Sequence, residues 1–308
     1  MNALVGYTGF VGSNIYSAAG SGIDKVYNSK NIEEAFGTKP ELLIYAGLRA
    51  EKYLANNAPD KDYALIEQAQ DNIRKIDPKK LVLISTIDVF KDPTGADENT
   101  PVDTEGLHAY GYNRYRLEEW VRINYEDALI IRLPGLFGKN IKKNFIYDLI
   151  NLIPFMLKED KFLELSGRDP ELNKYYKRQD NGFYKVDVAE ADREFLKDKF
   201  KRLGFSALNF TDSRSVYQFY DLSRLWDDIG IALSNDIRLW HPATGPVSAG
   251  EVYKYLTGDD FVNELPGKPA YYDYRTVYDK VFGGRDGYIL DKEEVLKGIK
   301  EFVKGENR

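Results

Sequence analysis

Short apolar runs alternate, along the first half of the chain, with segments in which apolar residues recur every three or four positions. The runs predict buried β-strands at residues 2–5, 25–28, 41–46, 80–86 and 128–133. The segments between them predict helices, including residues 63–76 and 110–124. Strands that alternate with helices in this way are typical of a parallel sheet covered on both faces. We therefore predict a doubly wound α/β fold.

The alternation stops after Gly138, where residues 139–202 become rich in Lys and Glu. Beyond that point the pattern predicts helices at 145–157, 189–202, 222–233, 248–256 and 291–303, a β-hairpin formed by 205–210 and 216–220, and a strand at 236–241. We predict a first domain over residues 1–138, rejoined by about residues 222–245, and a smaller α+β C-terminal lobe over residues 139–308.

A glycine-rich segment, Gly6-Tyr7-Thr8-Gly9-Phe10-Val11-Gly12, separates the first strand from the helical pattern that begins at Ser13. Glycines at this spacing permit a tight turn, let a pyrophosphate approach the backbone, and allow close contact between helix and sheet. An ordinary strand-to-helix turn can carry the same glycines. The position directly after the first strand favours a dinucleotide-binding loop and hence a Rossmann-type sheet.

The end of the second strand bears on the choice of cofactor. A site for NAD carries an acidic residue there to bind the ribose hydroxyls, whereas residues 27–31 are Tyr-Asn-Ser-Lys-Asn. Ser29 and Lys30 can hydrogen-bond and neutralise a 2′-phosphate, which favours NADP over NAD. A polar turn in contact with solvent would have the same composition.

Composition excludes several classes of function. The chain has 308 residues, 43% of them hydrophobic, and a net charge of −6, which provides no attraction for nucleic acid. Its apolar runs are shorter than the roughly 20 residues that cross a membrane. With no cysteine and two histidines, it has no thiolate or histidine-rich metal site, and we predict no metal. Because the first residues lack the features of a signal peptide, we expect a cytoplasmic protein.

Four stretches carry the motifs of a known family. They are Leu4-Val5-Gly6-Tyr7-Thr8-Gly9-Phe10-Val11-Gly12-Ser13, Leu83-Ile84-Ser85-Thr86-Ile87-Asp88-Val89-Phe90, Ala109-Tyr110-Gly111-Tyr112-Asn113-Arg114 and Arg132-Leu133-Pro134-Gly135-Leu136-Phe137-Gly138. In this order and spacing the chain resembles the extended short-chain dehydrogenase/reductases, the NAD-dependent epimerase/dehydratase family. The short early strands and residues 47–59 resemble its dTDP-4-dehydrorhamnose reductase branch. The resemblance implies that the lobe over residues 139–308 binds the substrate.

The resemblance also implies the catalytic residues. Tyr110 would move a proton to or from the substrate oxygen next to the site of hydride transfer, and Thr86 would hydrogen-bond the same oxygen. Arg114, one helical turn after Tyr110, would stabilise the tyrosinate. The family usually carries Lys at position 114. A planar guanidinium cannot place a single ammonium between the ribose hydroxyls and the phenol, so activity is the open question.

Other interpretations of these tyrosines stay open. Tyr112 and Arg116 have the same spacing as Tyr110 and Arg114, although Tyr110-Gly111 fits the family motif better. The tyrosines at 110, 112 and 115 are also compatible with a packing role in a chain that contains 23 of them. Thr86 can equally cap the backbone at the end of its strand.

Further positions are implied by the same resemblance. The residues expected to contact the cofactor are Gly6, Thr8, Gly9, Phe10, Val11, Gly12, Asn28, Ser29, Lys30, Ala46, Gly47, Tyr110, Arg114 and Leu133. The residues expected to contact the substrate are Asp88, His108, Arg132 and Arg214. Related dehydratases carry an Asp-Glu pair directly after the threonine; here Ile87 interrupts that pair, which favours a reductase or an epimerase.

We therefore predict an NAD(P)-dependent oxidoreductase or epimerase that acts on a nucleotide-sugar or a similar carbinol or carbonyl. The alternative is a catalytically impaired NAD(P)-binding sensor or scaffold, with Arg114 marking the lost activity. By analogy with the family, helices 63–76 and 110–124 could pack in a homodimer.

Overall fold

The computed structural model describes residues 1–306, which contain a six-stranded parallel sheet. Its strands are β1 (Asn2–Val5), β2 (Lys25–Tyr27), β3 (Leu42–Tyr45), β4 (Lys80–Thr86), β5 (Leu129–Leu133) and β6 (Leu239–Trp240). Their order across the sheet is β6-β5-β4-β3-β1-β2, and every neighbouring pair is parallel. The predicted Rossmann-type α/β fold is confirmed.

Ten α-helices accompany the strands within residues 1–306. They are α1 (Phe10–Ala19), α2 (Lys52–Asn57), α3 (Pro59–Ile76), α4 (Ala109–Asn124), α5 (Phe145–Asn151), α6 (Glu159–Arg168), α7 (Arg193–Leu203), α8 (Leu225–Ser234), α9 (Ala249–Thr257) and α10 (Lys292–Glu306). None of the helices in this described part of the chain is long and apolar enough to span a membrane.

The sheet buries both of its faces. Because successive side chains of a strand point to opposite faces, alternate residues join two separate cores. One core combines strand residues with helices α1 and α8, through Leu4, Ile44, Val82, Ile15 and Ile229. The other combines strand residues with helices α3 and α4, through Val5, Leu43, Leu83, Ile73 and Val121. This two-sided burial explains why the strands are continuous apolar runs in the sequence.

The chain divides into two compact units. The first comprises residues 1–141, 216–247 and 271–299, and the second comprises 142–215, 248–270 and the residues from 300 onward. The sequence prediction assigned residues 139–308 to the second lobe and had only about residues 222–245 rejoin the first domain. Residues 271–299 belong instead with the first unit, where the Phe282 ring stacks on the Trp240 ring of β6 at 4.3 Å between centroids.

The second unit has its own small core, formed by α6, α7 and a three-stranded antiparallel sheet. The strands of this sheet are Met156–Leu157, Tyr184–Val186 and Tyr176–Arg178. The helix predicted over residues 145–157 ends early, at Asn151. Leu152 then adopts a left-handed conformation with φ of 57°, and Pro154 disfavours a helical conformation at the residue before it.

The predicted β-hairpin at residues 205–220 is wrong. Ser206 caps a short 3-10 helix, Ala207–Phe210, by accepting a hydrogen bond from the Leu208 N–H at 3.3 Å. Phe219–Asp221 is a strand, but it pairs in parallel with Gly135–Phe137. Alternating apolar residues identify a strand without indicating its partner.

A buried ion pair joins α4 to β5. Glu118 is fully buried, and its carboxylate accepts hydrogen bonds from Arg132 Nη2 at 2.7 Å and from Ser85 Oγ at 2.5 Å. Removing one member of such a pair leaves the other as an uncompensated buried charge.

We predict that Glu118→Ala lowers the free energy of unfolding by about 3–5 kcal/mol, measured by urea denaturation. The matched control is Glu119→Ala on the same helix, where a half-exposed carboxylate binds Arg122; its effect should stay below about 0.5 kcal/mol. The double variant Glu118→Leu with Arg132→Met should recover most of the loss, because neither charge remains. Equal destabilisation by the two single substitutions would contradict the assignment.

Candidate active site

The glycine loop between β1 and α1 is closely packed against the neighbouring backbone. Gly6 has φ of +93°, and a Cβ atom there would lie 2.4 Å from the Ala46 carbonyl oxygen. A Cβ atom at Gly12 would lie 2.2 Å from the Gly6 carbonyl oxygen. These two contacts explain why the loop needs glycine at both positions. They also bring Ala46 at the end of β3, one of the predicted cofactor contacts, next to the loop.

The first turn of α1 leaves room for an anion. Gly9 is the exposed N-cap residue, and residues 10–13, Phe-Val-Gly-Ser, bring no charge to the turn. The N–H groups at a helix N-terminus favour negative charge, so the turn is chemically suited to a phosphate.

The turn after β2 is fixed by its asparagines. Asn28 Oδ1 accepts a hydrogen bond from the Lys30 N–H at 2.8 Å, and the Asn28 N–H donates to Asn31 Oδ1 at 2.8 Å. Ser29 and Lys30 are exposed at the tip of this turn. Ser29 and Lys30, the predicted contacts of the 2′-phosphate, are therefore accessible, whereas the side-chain oxygen of Asn28 is hydrogen-bonded within the turn itself.

Tyr110 lies at the start of α4, against the turn that follows β4. The approach is close, because a Cβ atom at Gly111 would lie 2.0 Å from the Asp88 carbonyl oxygen. The Thr86 hydroxyl, at the end of β4, accepts a hydrogen bond from the Asp88 N–H at 3.2 Å and lies near enough to the Tyr110 phenol to lower its pKa. The Tyr110 N–H donates to Asn56 Oδ1 at 3.0 Å. The structure thus brings together Thr86 and Tyr110, as the sequence predicts.

The environment of Tyr110 favours the protonated phenol. Its side chain is buried, and burial raises the pKa of Tyr110 above its usual value of 10. The Arg114 charge lowers that pKa, while the carboxylates of Asp88 and Asp62 raise it. At neutral pH the phenol therefore carries its proton.

Arg114 contacts the ring of Tyr110 rather than its hydroxyl. The guanidinium carbon lies 4.3 Å from the ring centroid, in a cation–π arrangement. Arg114 Nη1 forms a buried ion pair with Asp62 of α3, and Nη2 donates to the Arg49 carbonyl oxygen at 2.7 Å. The cation that replaces the usual lysine is thus held by a carboxylate and a backbone carbonyl.

Asp88 and His108 border the same cluster. Asp88 Oδ1 accepts a hydrogen bond from Lys52 Nζ at 3.0 Å and from the Tyr272 hydroxyl at 3.3 Å. His108 caps α4 through Nδ1, which accepts from the Gly111 N–H at 3.0 Å. Burial, followed by the Lys52 charge, lowers the pKa of His108, so its ring is neutral at neutral pH.

Two residues predicted to bind substrate are otherwise engaged. Arg132 is 2% exposed and binds Glu118 inside the first unit, so a diphosphate would have to displace a buried carboxylate to reach it. Arg214 lies in the second unit, where its guanidinium binds Asp212 at 2.8 Å and Glu264 at 2.9 Å. Both arginines bind acidic residues of their own chain; Asp212 is close to Arg214 in the sequence, whereas Glu118 and Glu264 are distant from the arginines that they bind.

The alternative pair is placed differently. Tyr112 is 40% exposed, and the Arg116 guanidinium lies over the Tyr63 ring at 3.7 Å. Since the Thr86 hydroxyl lies near the Tyr110 phenol, the cluster contains the first of the two candidate tyrosines. Leu133, predicted to contact the cofactor, is buried at the end of β5, and Gly47 is exposed just after β3.

Sequence reasoning missed Asp62, Asn56, Lys52 and Tyr272. Asp62 had a detectable signal, because it stands four residues before Ile66 and so belongs to the buried stripe of α3 that continues to Ala69 and Ile73. Tyr272 is 184 residues from Asp88, and no local pattern connects them.

No protein-family model matches the sequence, and no curated protein matches it either. Solved structures do match. A dTDP-4-dehydrorhamnose reductase from Bacillus anthracis, in complex with NADP, is 16% identical with a TM-score of 0.62, and 99% of each chain is covered. A UDP-glucose 4-epimerase from Thermotoga maritima, with UDP-glucose, is 14% identical with a TM-score of 0.64, covering 100% of this chain and 99% of that one.

A Bordetella bronchiseptica enzyme in complex with NAD is 14% identical with a TM-score of 0.67, covering 98% of this chain and 93% of that one. At such identities the likeness concerns the fold. It agrees with the resemblance that the motifs indicate. The chain therefore has the fold of the dTDP-4-dehydrorhamnose reductases and UDP-glucose 4-epimerases, as expected of the extended short-chain dehydrogenase/reductase type.

Proposed function

We propose that the protein is an NAD(P)-dependent oxidoreductase or epimerase acting on a nucleotide-sugar or a similar carbonyl or carbinol. The observation that carries this proposal is the placement of the buried Tyr110 next to Thr86, at the carboxyl end of β4. In open α/β sheets, ligands bind outside the carboxyl ends of the strands. The glycine loop follows β1, two strands away in the same parallel sheet.

The chain's own residues suit a dinucleotide. Gly6 and Gly12 keep the loop backbone free of side chains, and the uncharged first turn of α1 would receive the pyrophosphate. The remaining contacts would come from Ala46, Gly47 and Leu133. When bound, the nicotinamide supplies or accepts the hydride.

Tyr110 and Thr86 would then act on the substrate oxygen. The protonated Tyr110 phenol donates its proton to that oxygen, and Thr86 holds the oxygen and the phenol in register. Asp88 and His108 are placed to bind sugar hydroxyls, because both border the phenol and carry polar atoms. Relatives of this fold with bound nucleotide-sugar, such as the UDP-glucose complex, support this class of substrate.

A second candidate function has its own supporting observation. Arg114 is bound by Asp62 and by the Arg49 carbonyl, so its guanidinium is less available to ribose hydroxyls than a lysine ammonium. This favours a protein that binds the dinucleotide without turnover and signals its occupancy. The two functions differ in the effect of removing the Tyr110 hydroxyl.

We predict that Tyr110→Phe lowers kcat by about 10²- to 10⁴-fold while the Kd for the dinucleotide stays unchanged, because the substitution removes only the proton donor. Turnover is followed by nicotinamide absorbance across a panel of nucleotide-sugars, and Kd by fluorescence titration. Tyr112→Phe is the matched control and should retain full activity. Loss of turnover in Tyr112→Phe alone would identify Tyr112 as the proton donor. An absence of turnover in the parent protein would favour the second function, a sensor that binds the dinucleotide without catalysis.

The proposed preference for NADP rests on Ser29 and Lys30. Lys30→Ala should weaken NADP binding by about 10- to 100-fold and leave NAD binding unchanged, because a charge-assisted bond to the 2′-phosphate is lost. Lys25→Ala, an exposed lysine on β2, is the control and should change neither Kd. Equal affinities of Lys30→Ala and the parent protein for NADP would refute the preference.

A further inference from the structure

Asp62 is an unusual residue for its position on α3. It lies on the stripe through which the helix packs on the sheet, followed by Ile66, Ala69 and Ile73, and it is 5% exposed. A carboxylate at such a position costs free energy unless it is paired. Its partners should therefore indicate why it is there.

All of the partners found for Asp62 connect it to α4. Asp62 Oδ2 accepts a hydrogen bond from Asn113 Nδ2 at 2.9 Å and forms the buried ion pair with Arg114 Nη1. Asn113 Nδ2 also donates to the Pro59 carbonyl oxygen at 3.2 Å, at the start of α3. Asp62 thus fixes the position of the Arg114 guanidinium and offsets its positive charge.

We propose that Asp62 is a positioning residue for the reaction: it holds the Arg114 guanidinium against the Tyr110 ring and offsets the positive charge beside the phenol. This inference rests on the proposed function, in which Tyr110 donates the proton. It concerns the state of the phenol before any ligand binds.

The geometry explains the effect. An unbalanced guanidinium 4.3 Å from the ring would stabilise the tyrosinate. Asp62 supplies the compensating charge at Arg114 Nη1. The Arg49 carbonyl oxygen accepts a hydrogen bond from Arg114 Nη2. The cation is therefore kept at the face of the ring, where it stabilises the aromatic system without reaching the phenol oxygen.

The other charged groups facing Tyr110 do not substitute for this pair. Asp88, on the turn after β4, forms an ion pair with Lys52 of α2, whose Nζ lies 3.0 Å from Asp88 Oδ1. His108, at the start of α4, lies 6.3 Å from the Tyr110 ring between centroids and is neutral at neutral pH. Arg114 is thus the cation at the ring of Tyr110, and Asp62 is the group that offsets it. The directions of the pKa contributions agree: burial raises the pKa of Tyr110 most, Arg114 lowers it, and Asp88 and, to a smaller extent, Asp62 raise it.

The test is a direct titration of Tyr110 in the protein without cofactor or substrate. Tyrosine labelled with ¹³C at Cζ reports ionisation by NMR, and the Tyr110→Phe variant identifies the resonance. In the parent protein the Tyr110 resonance should show no ionisation up to about pH 10. In Asp62→Asn, which removes a negative charge and so favours the tyrosinate, the pKa should fall by about 1 or more, a tenfold larger tyrosinate fraction at a given pH.

The matched control is Asp60→Asn, an exposed residue in the same turn of α3, which should leave the pKa of Tyr110 unchanged. A folded Asp62→Asn protein with the parent pKa would overturn the proposal, as would ionisation of Tyr110 below about pH 9 in the parent protein.

The double variant Asp62→Asn with Arg114→Gln removes both charges and covers the case in which the single variant does not fold. Its Tyr110 pKa should match that of the parent protein, and a shift larger than about 1 in either direction would contradict charge balance. Because no ligand is present, these results are independent of whether the proposed enzymatic activity is found.

Discussion

The close approach of α4 to the turn after β4 is the constraint on which the candidate site depends. A side chain at position 111 would collide with the Asp88 carbonyl oxygen, so glycine there allows the helix to start directly against the strand end. That contact places Tyr110 next to Thr86. It also sets the direction of α4, so that Arg114, one turn later, faces α3 and its buried carboxylate.

Three cations of the first unit are each paired with a carboxylate. Arg114 pairs with Asp62, Arg132 pairs with Glu118, and Lys52 pairs with Asp88. In a low-dielectric interior this pairing is what makes the charges tolerable. It has a functional consequence, because a cation already neutralised by its own chain is a weaker attractor for a phosphate. The uncharged first turn of α1 and the exposed Lys30 are therefore better suited to the dinucleotide than the interior arginines.

Much of the fold could be predicted because the physical signal is local. The parallel strands are buried on both faces, so each is a continuous apolar run, and the glycines of the loop stand at a short fixed spacing directly after the first strand. The hairpin at 205–220 was mispredicted because strand pairing is a long-range choice: Phe219–Asp221 pairs with Gly135–Phe137, more than 80 positions earlier. The ion pairs of Arg132 with Glu118 and of Arg214 with Glu264 were not predicted for a related reason, since each joins residues that are distant in the sequence. The helical periodicity of α3 could have indicated that Asp62 is buried, whereas no local pattern could have connected Tyr272 to Asp88.

The central claim is that a nicotinamide dinucleotide lies against the glycine loop with its reactive ring near Tyr110. A crystal structure of the protein grown with NADPH tests this most directly. We expect density for the pyrophosphate at the start of α1, with the nicotinamide beside the Tyr110 phenol. Density for the coenzyme elsewhere, or a glycine loop closed by side chains in the presence of saturating NADPH, would contradict it.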